Sequence, residues 1–432
     1  MKRIGLAFLS FVLFLLFACN QQPAGTHITV LGATTGAVYY QVGKGEWRLL
    51  PREDYGRYGF DLPAGENRYG VVLLCRSGWY SSTEGTLQIY QLTTDDATEL
   101  RLDCGPDADR SLSSVALAVS KAQGDPGNYD RATATLGSGH GFAPLGRPMG
   151  LYARPEAGQG LMVWAKDKTS PYPLLRLRYD PDFDPRPGRC PYDRPCTVEL
   201  GPGDAVRYQN VAALSAPAWA SRGGFEVGFL AHGWNWVPFV NDGGLGGGRY
   251  VEVPGAVPGD LYLGHASAGD ACGTYLVGQS KTFGPQTGTL RFTLPQDKFD
   301  PTVSQGALPA FAGLDYPEAP VAYRFGLSVG ARGTLLHPLH EYILVSPRWL
   351  GTASRYAVPD VSGAPGLAGT RPLPGDEISW SAGVLLSEHT LSELLTAERV
   401  PPYGALYEHA RFRVPGFSLR SALKYGHYTV PQ

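Results

Sequence analysis

Asp180, Asp182 and Asp184 alternate through Asp-Pro-Asp-Phe-Asp-Pro-Arg-Pro-Gly. Carboxylates at the first, third and fifth positions of a loop can converge on a hard cation such as calcium. The rest of such a loop is altered here. Pro185 stands at the sixth position in place of Gly, the twelfth carries no Glu, and Arg186 and Arg189 can neutralise the acids. A solvated, proline-stiffened loop is the competing expectation. His337-Pro-Leu-His340-Glu341 gathers two imidazoles and a carboxylate, but a helical zinc site needs His at i and i+4 with Glu between them. With a spacing of three and a proline inside it, the stretch reads as a loop entering a strand. Trp234 and Trp236 would share one face of a strand, where paired indoles make a flat platform for a sugar ring or a peptide, or pack into a core.

Nucleophile motifs are sparse. Gly137-Ser-Gly-His-Gly141 has its serine out of register for a nucleophile elbow. Ser421-Ala-Leu-Lys424 has a serine–lysine spacing known from acyl transfer, without the accompanying Ser-Asp-Asn and Lys-Thr-Gly. Gly243 to Gly248 is glycine-rich, yet no Lys-Ser/Thr follows it, so it reads as a hairpin loop and not a phosphate cradle. General acid/base work needs only two suitably placed groups, and pairs distant in sequence stay invisible at this level.

The chain that must position these residues has 432 of them and a net charge of −2. That balance provides no basic surplus to neutralise phosphates, which excludes nucleic acid as an expected partner. With 56 Gly and 36 Pro, turn residues are abundant, while 43% hydrophobic residues suffice to bury cores. Length alone predicts two to four domains.

From His27 to Asp103 short β-rich runs alternate with Gly, Pro and Asp: 27–31, 37–42, 47–50, 58–62, 69–76, 86–92 and 98–103. Seven such runs are the signature of a β-sandwich. In 69–75 both alternating faces are apolar, which predicts a central strand. The pattern returns: Trp47-Arg-Leu-Leu, Tyr58 to Gly65 and Tyr69-Gly-Val-Val compare with Trp236-Val-Pro-Phe, Tyr250 to Gly255 and Leu261-Tyr-Leu-Gly. Closing runs end at Gly-Pro-Asp, Gly-Pro-Gly-Asp and Pro-Gln-Asp near 105, 201 and 295. The expected fold class is therefore all-β, tandem sandwich modules over 27–105, 106–203 and 204–296, with a less regular β-rich segment over 297–432. In that last segment 323–329, 341–345, 378–386 and 407–414 read as strands. Thr390-Leu-Ser-Glu393 has capping-box spacing and opens one short helix, 391–399, stopped by Pro401-Pro402.

The N-terminus differs from all of this. Lys2 and Arg3 precede fourteen uncharged residues, Ile4 to Phe17, then Ala18 and Cys19. The run is too short for a stable transmembrane helix and has the layout of an export signal over 1–18. Leu16-Phe17-Ala18-Cys19 resembles the lipobox of bacterial lipoproteins. That resemblance implies cleavage before Cys19, a lipid on its sulfur and a partner in the membrane; Asn20 in place of Asp leans toward the outer membrane or cell surface. Residues 19–26 are then a tether reaching at most about 25 Å. Export makes disulfides favourable, and local spacing pairs Cys75 with Cys104 and Cys190 with Cys196, leaving Cys272 over.

The modules resemble the immunoglobulin-like, fibronectin-like, transthyretin-like or carboxypeptidase-regulatory-like sandwiches of bacterial surface lipoproteins, on the strand count and the Pro-Ala-Gly turn before Tyr69. Such folds carry many functions and transfer no active residues. The expected role is structural or ligand-binding in the cell envelope, non-enzymatic, with no cofactor unless calcium. A glycan- or peptidoglycan-binding surface and an envelope hydrolase are the alternatives.

Overall fold

The computed structural model describes residues 25–432 except 33–35, 55, 77–84, 103, 105–112, 137–138, 154–159, 170–173, 185–187, 232–234, 241–247, 285–288, 331–338 and 397–415. The first set of strands is β1 (His27–Leu31), β2 (Ala37–Val42), β3 (Arg48–Leu49), β4 (Arg52–Asp54), β5 (Arg57–Asp61), β6 (Arg68–Arg76), β7 (Gly85–Thr93) and β8 (Glu99–Arg101). The second is β9 (Ser113–Lys121), β10 (Arg131–Leu136), β11 (Gly139–Pro144), β12 (Pro148–Ala153), β13 (Leu161–Lys166), β14 (Leu174–Asp180) and β15 (Cys196–Leu200). The third is β16 (Arg207–Ser215), β17 (Arg222–Ala231), β18 (Asn235–Val240), β19 (Gly248–Glu252), β20 (Leu261–Gly269), β21 (Tyr275–Phe283) and β22 (Leu290–Thr293).

Each set folds as a sandwich with one strand order. β5-β1-β8 faces β3-β2-β6-β7, β12-β9-β15 faces β11-β10-β13-β14, and β19-β16-β22 faces β18-β17-β20-β21. In every case the opening strand runs antiparallel to one neighbour and parallel to the closing strand. The order is distinct from the A-B-E-D on C-F-G arrangement of immunoglobulin constant domains.

The fourth set comprises β23 (Thr302–Ser304), β24 (Ala310–Ala312), β25 (Ala322–Val329), β26 (Leu339–Val345), α1 (Pro347–Leu350), β27 (Arg355–Ala357), β28 (Glu377–Ser387), α2 (Leu391–Thr396) and β29 (Ser418–Thr429). It repeats the plan with one change. β27-β24 faces β26-β25-β28-β29, and the edge of β24 that elsewhere takes a parallel closing strand is taken by antiparallel β23. The turns confirm the kinship. Val257-Pro-Gly-Asp260 and Leu373-Pro-Gly-Asp376 both close with the acid accepting from the backbone N of the first residue, at 2.7 and 2.6 Å. Both put glycine at positive φ, +98° for Gly259 and +90° for Gly375, the third position of a turn that a side chain would strain.

Sheets then merge. β7 pairs in parallel with β26, and β21 pairs antiparallel with β29, so three four-stranded sheets become one of twelve strands: β18-β17-β20-β21-β29-β28-β25-β26-β7-β6-β2-β3. The last sandwich in the chain thus lies between the first and the third. Merging explains why β6 is apolar on both faces. Tyr69, Val71, Leu73 and Cys75 pack with β1 and β5, whereas Val72 and Leu74 join the core that holds Phe311, Phe325 and Tyr356. The Tyr39 hydroxyl donates to Pro365 O at 2.9 Å across the same seam. At the ends of the sheet β3 is two residues long and β18 contains Pro238, which cannot donate, so both edges are poor templates for further pairing.

The capping box is present: Thr390 N donates to Glu393 Oε2 at 2.7 Å and Glu393 N to Thr390 Oγ1 at 3.3 Å. Leu391, Leu394 and Leu395 of α2 bury into the core of the first sandwich. The stop expected at Pro401 and the strand expected over 407–414 lie outside the described residues. The one-turn α1 is an addition, capped by Ser346, which accepts from Trp349 N at 3.0 Å. β29 is another: Ser-Leu-Arg-Ser-Ala-Leu-Lys has no period-two alternation, and its position between β21 and β28 supplies the pairing that its sequence does not advertise.

Both expected disulfides form, Cys75–Cys104 and Cys190–Cys196. Their sequence separations, 29 and 6, rank their effects. By loop-closure entropy, replacing the first pair with Ala is expected to cost about 3–4 kcal/mol and the second about 2 kcal/mol. Urea unfolding of the two double variants checks the ranking, and equal midpoints would contradict it.

Candidate functional site

The acidic loop after β14 does not gather its carboxylates. Asp184, nearly buried, pairs with Arg189 at 2.9 Å. Asp180 accepts from Asp182 N at 3.1 Å and so closes its own turn. Among the described residues no three His, Cys, Asp or Glu side chains are placed to hold a metal ion. His337 lies outside the described residues. His340 and Glu341 are neighbours on β26 and therefore point to opposite faces of the sheet.

Trp234 also lies outside the described residues. Of Trp236 the backbone is described: it sits on β18, the terminal strand of the large sheet, opposite Leu230 of β17. The glycine-rich stretch 243–248 does not close a hairpin, because it connects β18 to β19, which belong to facing sheets. Ser421 and Lys424 both fall on β29, where a spacing of three directs them to opposite faces. Lys424 binds Asp300 and Pro301 O. They form no nucleophile–base pair. Cys272 is exposed and free, and Cys19 lies outside the described residues.

Register brings together groups that sequence spacing could not. Glu226, His265 and Ser280 occupy one row across β17, β20 and β21, and His265 Nδ1 is 2.9 Å from Ser280 Oγ. The identities are those of a hydrolytic triad. The surroundings are not, because Ser280 is only 3% exposed and β21 is laddered on both sides, which leaves no backbone N–H to stabilise an oxyanion. The hydrogen bond ties two strands.

A second cluster joins the third sandwich to the fourth. Lys298 Nζ stands 4.4 Å from the ring centre of Tyr275 and 5.1 Å from that of Trp219, and the Tyr275 hydroxyl donates to Asp300 at 2.9 Å. The Lys424 ammonium, with the Tyr275 hydroxyl, holds the Asp300 carboxyl below the usual carboxylate range. This aromatic pair is already occupied by the chain's own cation.

The third is buried in the second sandwich. Asp125 receives Arg176 Nε at 3.0 Å, Gly127 N at 2.9 Å and the Tyr129 hydroxyl at 2.6 Å. The Arg176 guanidinium is the largest influence holding the Asp125 carboxyl well below the usual range, while burial pushes the Tyr129 hydroxyl up. This network fastens the loop before β10 to β14. The outer face of β13 and β14 packs in turn on the third sandwich, through Met162, Trp164 and Tyr179, whose hydroxyl donates to Asp260 at 3.0 Å.

No protein-family model matches the chain, and no curated protein is detectably similar to it. Among solved structures, the Bacillus anthracis TIE protein aligns at 10% identity over 62% of this chain, with a TM-score of 0.15. The chain spans about half of that protein, 50%. A tetra-tandem repeat in the extending region of a large adhesion protein aligns at 10% identity over 94% of this chain and 99% of its own, with a TM-score of 0.14. Likenesses of this size carry no argument about function.

Proposed function

We propose that the protein is an exported lipoprotein of the bacterial envelope, anchored through Cys19, whose joined sandwiches serve a structural or ligand-binding role without catalysis. The observation that carries this reading is Leu16-Phe17-Ala18-Cys19 behind Lys2, Arg3 and an uncharged run. Two disulfides suit an oxidising compartment, and the merged sheet suits a rigid body that must keep its shape outside the cell. The tether before β1 keeps the first sandwich close to the membrane surface. Asn20 leans toward the outer membrane. Mass analysis of the N-terminal peptide tests the anchor: a diacylated Cys19 is expected, with Cys19→Ser moving the protein to the soluble fraction, and an unmodified N-terminal peptide would overturn it.

A glycan-binding role is the second reading, favoured by the place of Trp236 on the terminal strand β18. Retention of envelope glycans that disappears in Trp234→Ala with Trp236→Ala, at unchanged melting temperature, distinguishes it from a purely structural role.

A further inference from the structure

Glu341 lies in the middle of β26, the strand through which the fourth sandwich pairs with β7 of the first. Its register partners are apolar, Leu327 on β25 and Leu87 on β7. The residue is 3% exposed, and its Oε2 has no hydrogen-bond partner. Four polar groups from the elements packed around it bear on its state. Tyr356 of β27 donates its hydroxyl to Gln91 of β7 at 2.7 Å, across the seam. Among the described residues Asp360, just beyond β27, is the charged group that acts on the carboxyl, and Arg371 pairs with it at 2.9 Å near the surface. β25 and β7 contribute Leu327, Leu87 and the uncharged Gln91. With Arg371 paired to Asp360, and Arg324 of β25 three residues from Leu327 and so on the opposite face of the sheet, none of these offers a positive charge to an ionised carboxyl. A carboxylate there would sit among Leu339, Ile343 and the ring of Tyr356 with its charge uncompensated, an expensive arrangement that proteins avoid by keeping the proton.

We propose that the β7/β26 seam is a proton-controlled joint: with Glu341 neutral the first and fourth sandwiches share one sheet, and ionisation of Glu341 loosens their pairing. Burial, aided by the charge of Asp360, pushes the carboxyl up to about 8, whereas once exposed to water it returns to the ordinary value of about 4.3. Between those values the closed seam holds a proton that the open one releases. The closed form is therefore fully favoured below the ordinary carboxyl value and loses ground as pH rises toward about 8, with an opening constant that increases up to about tenfold per pH unit and then levels off.

Hydrogen exchange of the full chain between pH 5 and 8.5, corrected for the intrinsic pH dependence of amide exchange, reads the joint directly. Protection of 85–93 and 339–345 is expected to fall steeply with pH in the wild type and to stay level in Glu341→Gln, whose amide is a neutral near-isostere. The amides of β10, in the second sandwich, serve as the unaffected reference. Wild-type protection that does not change with pH, or an identical decline in the variant, would overturn the proposal. If Glu341→Gln does not fold, infrared titration of the wild type decides the matter: a protonated carboxyl absorption persisting at pH 7 supports the joint, and its absence removes it.

Discussion

Replacing Arg176 by Met is expected to cost about 3–5 kcal/mol, enough to unfold the second sandwich at moderate temperature. The pair it breaks is sealed, with the Asp125 side chain at 0% and that of Arg176 at 10% exposure. An exposed ion pair is worth about 0–1 kcal/mol because water replaces the lost partner. Here no water can, and Asp125 would keep a charge served only by the Tyr129 hydroxyl and Gly127 N. Changing both ends, Arg176→Met with Asp125→Asn, is expected to recover a good part of the loss, since the stranded charge and not the missing attraction dominates. Acid has a related effect. Because the folded carboxyl lies below its ordinary value, its stabilisation is complete above about pH 4 and is lost as pH falls toward the folded value. Urea unfolding followed by tryptophan fluorescence, to which Trp164 buried on β13 contributes, reads all three. A single variant within 1 kcal/mol of the wild type would mean that the network is wetter than its geometry indicates.

This network also marks where sequence reading stops. Asp125 and Arg176 are 51 positions apart, and neither stands in a motif. Glu226, His265 and Ser280 meet because β17, β20 and β21 happen to be in register, which is a property of pairing and not of spacing. The reverse error is as informative. Ser421 and Lys424 look like partners when counted along the chain, but a strand's period of two separates them. What could be read was local: period-two runs, the capping box of Thr390 and Glu393, the near-neighbour cysteines, and the double-sided apolarity of β6. That last feature predicted a central strand, and the structure adds the second layer that covers its other face. The run itself could not say that the layer would come from Phe311, Phe325 and Tyr356, far later in the chain. The fourth sandwich has a faint sequence signature because β24 has three residues and its closing edge is filled from the N-terminal side by β23.

The fourth sandwich is also where a single substitution should travel farthest. Phe325 on β25 is 1% exposed, with its ring centre 4.5 Å from Tyr356 and 4.7 Å from Phe311. Truncating such a ring to Ala removes both contacts and leaves a cavity that the two facing sheets cannot close, a cost of about 3–5 kcal/mol. In a string of independent modules only the fourth would feel it. In this chain the fourth supplies β26 to β7 and β29 to β21, so its loss uncovers two strand edges and the shared core at once. Phe325→Ala is therefore expected to lower the melting of the first, third and fourth sandwiches together. The second should follow less closely, because much of its core, around Val115, Leu117 and Val163, is its own. Phe142→Ala on β11, where the ring is 70% exposed, should change stability by no more than about 0.5 kcal/mol and serves as the control. Hydrogen exchange resolved by segment separates the two pictures. If β7 and β21 keep their protection while β25 and β28 lose theirs, the sandwiches are neighbours that merely touch; joint loss in all four strands means that the fourth sandwich holds the first and third in one body.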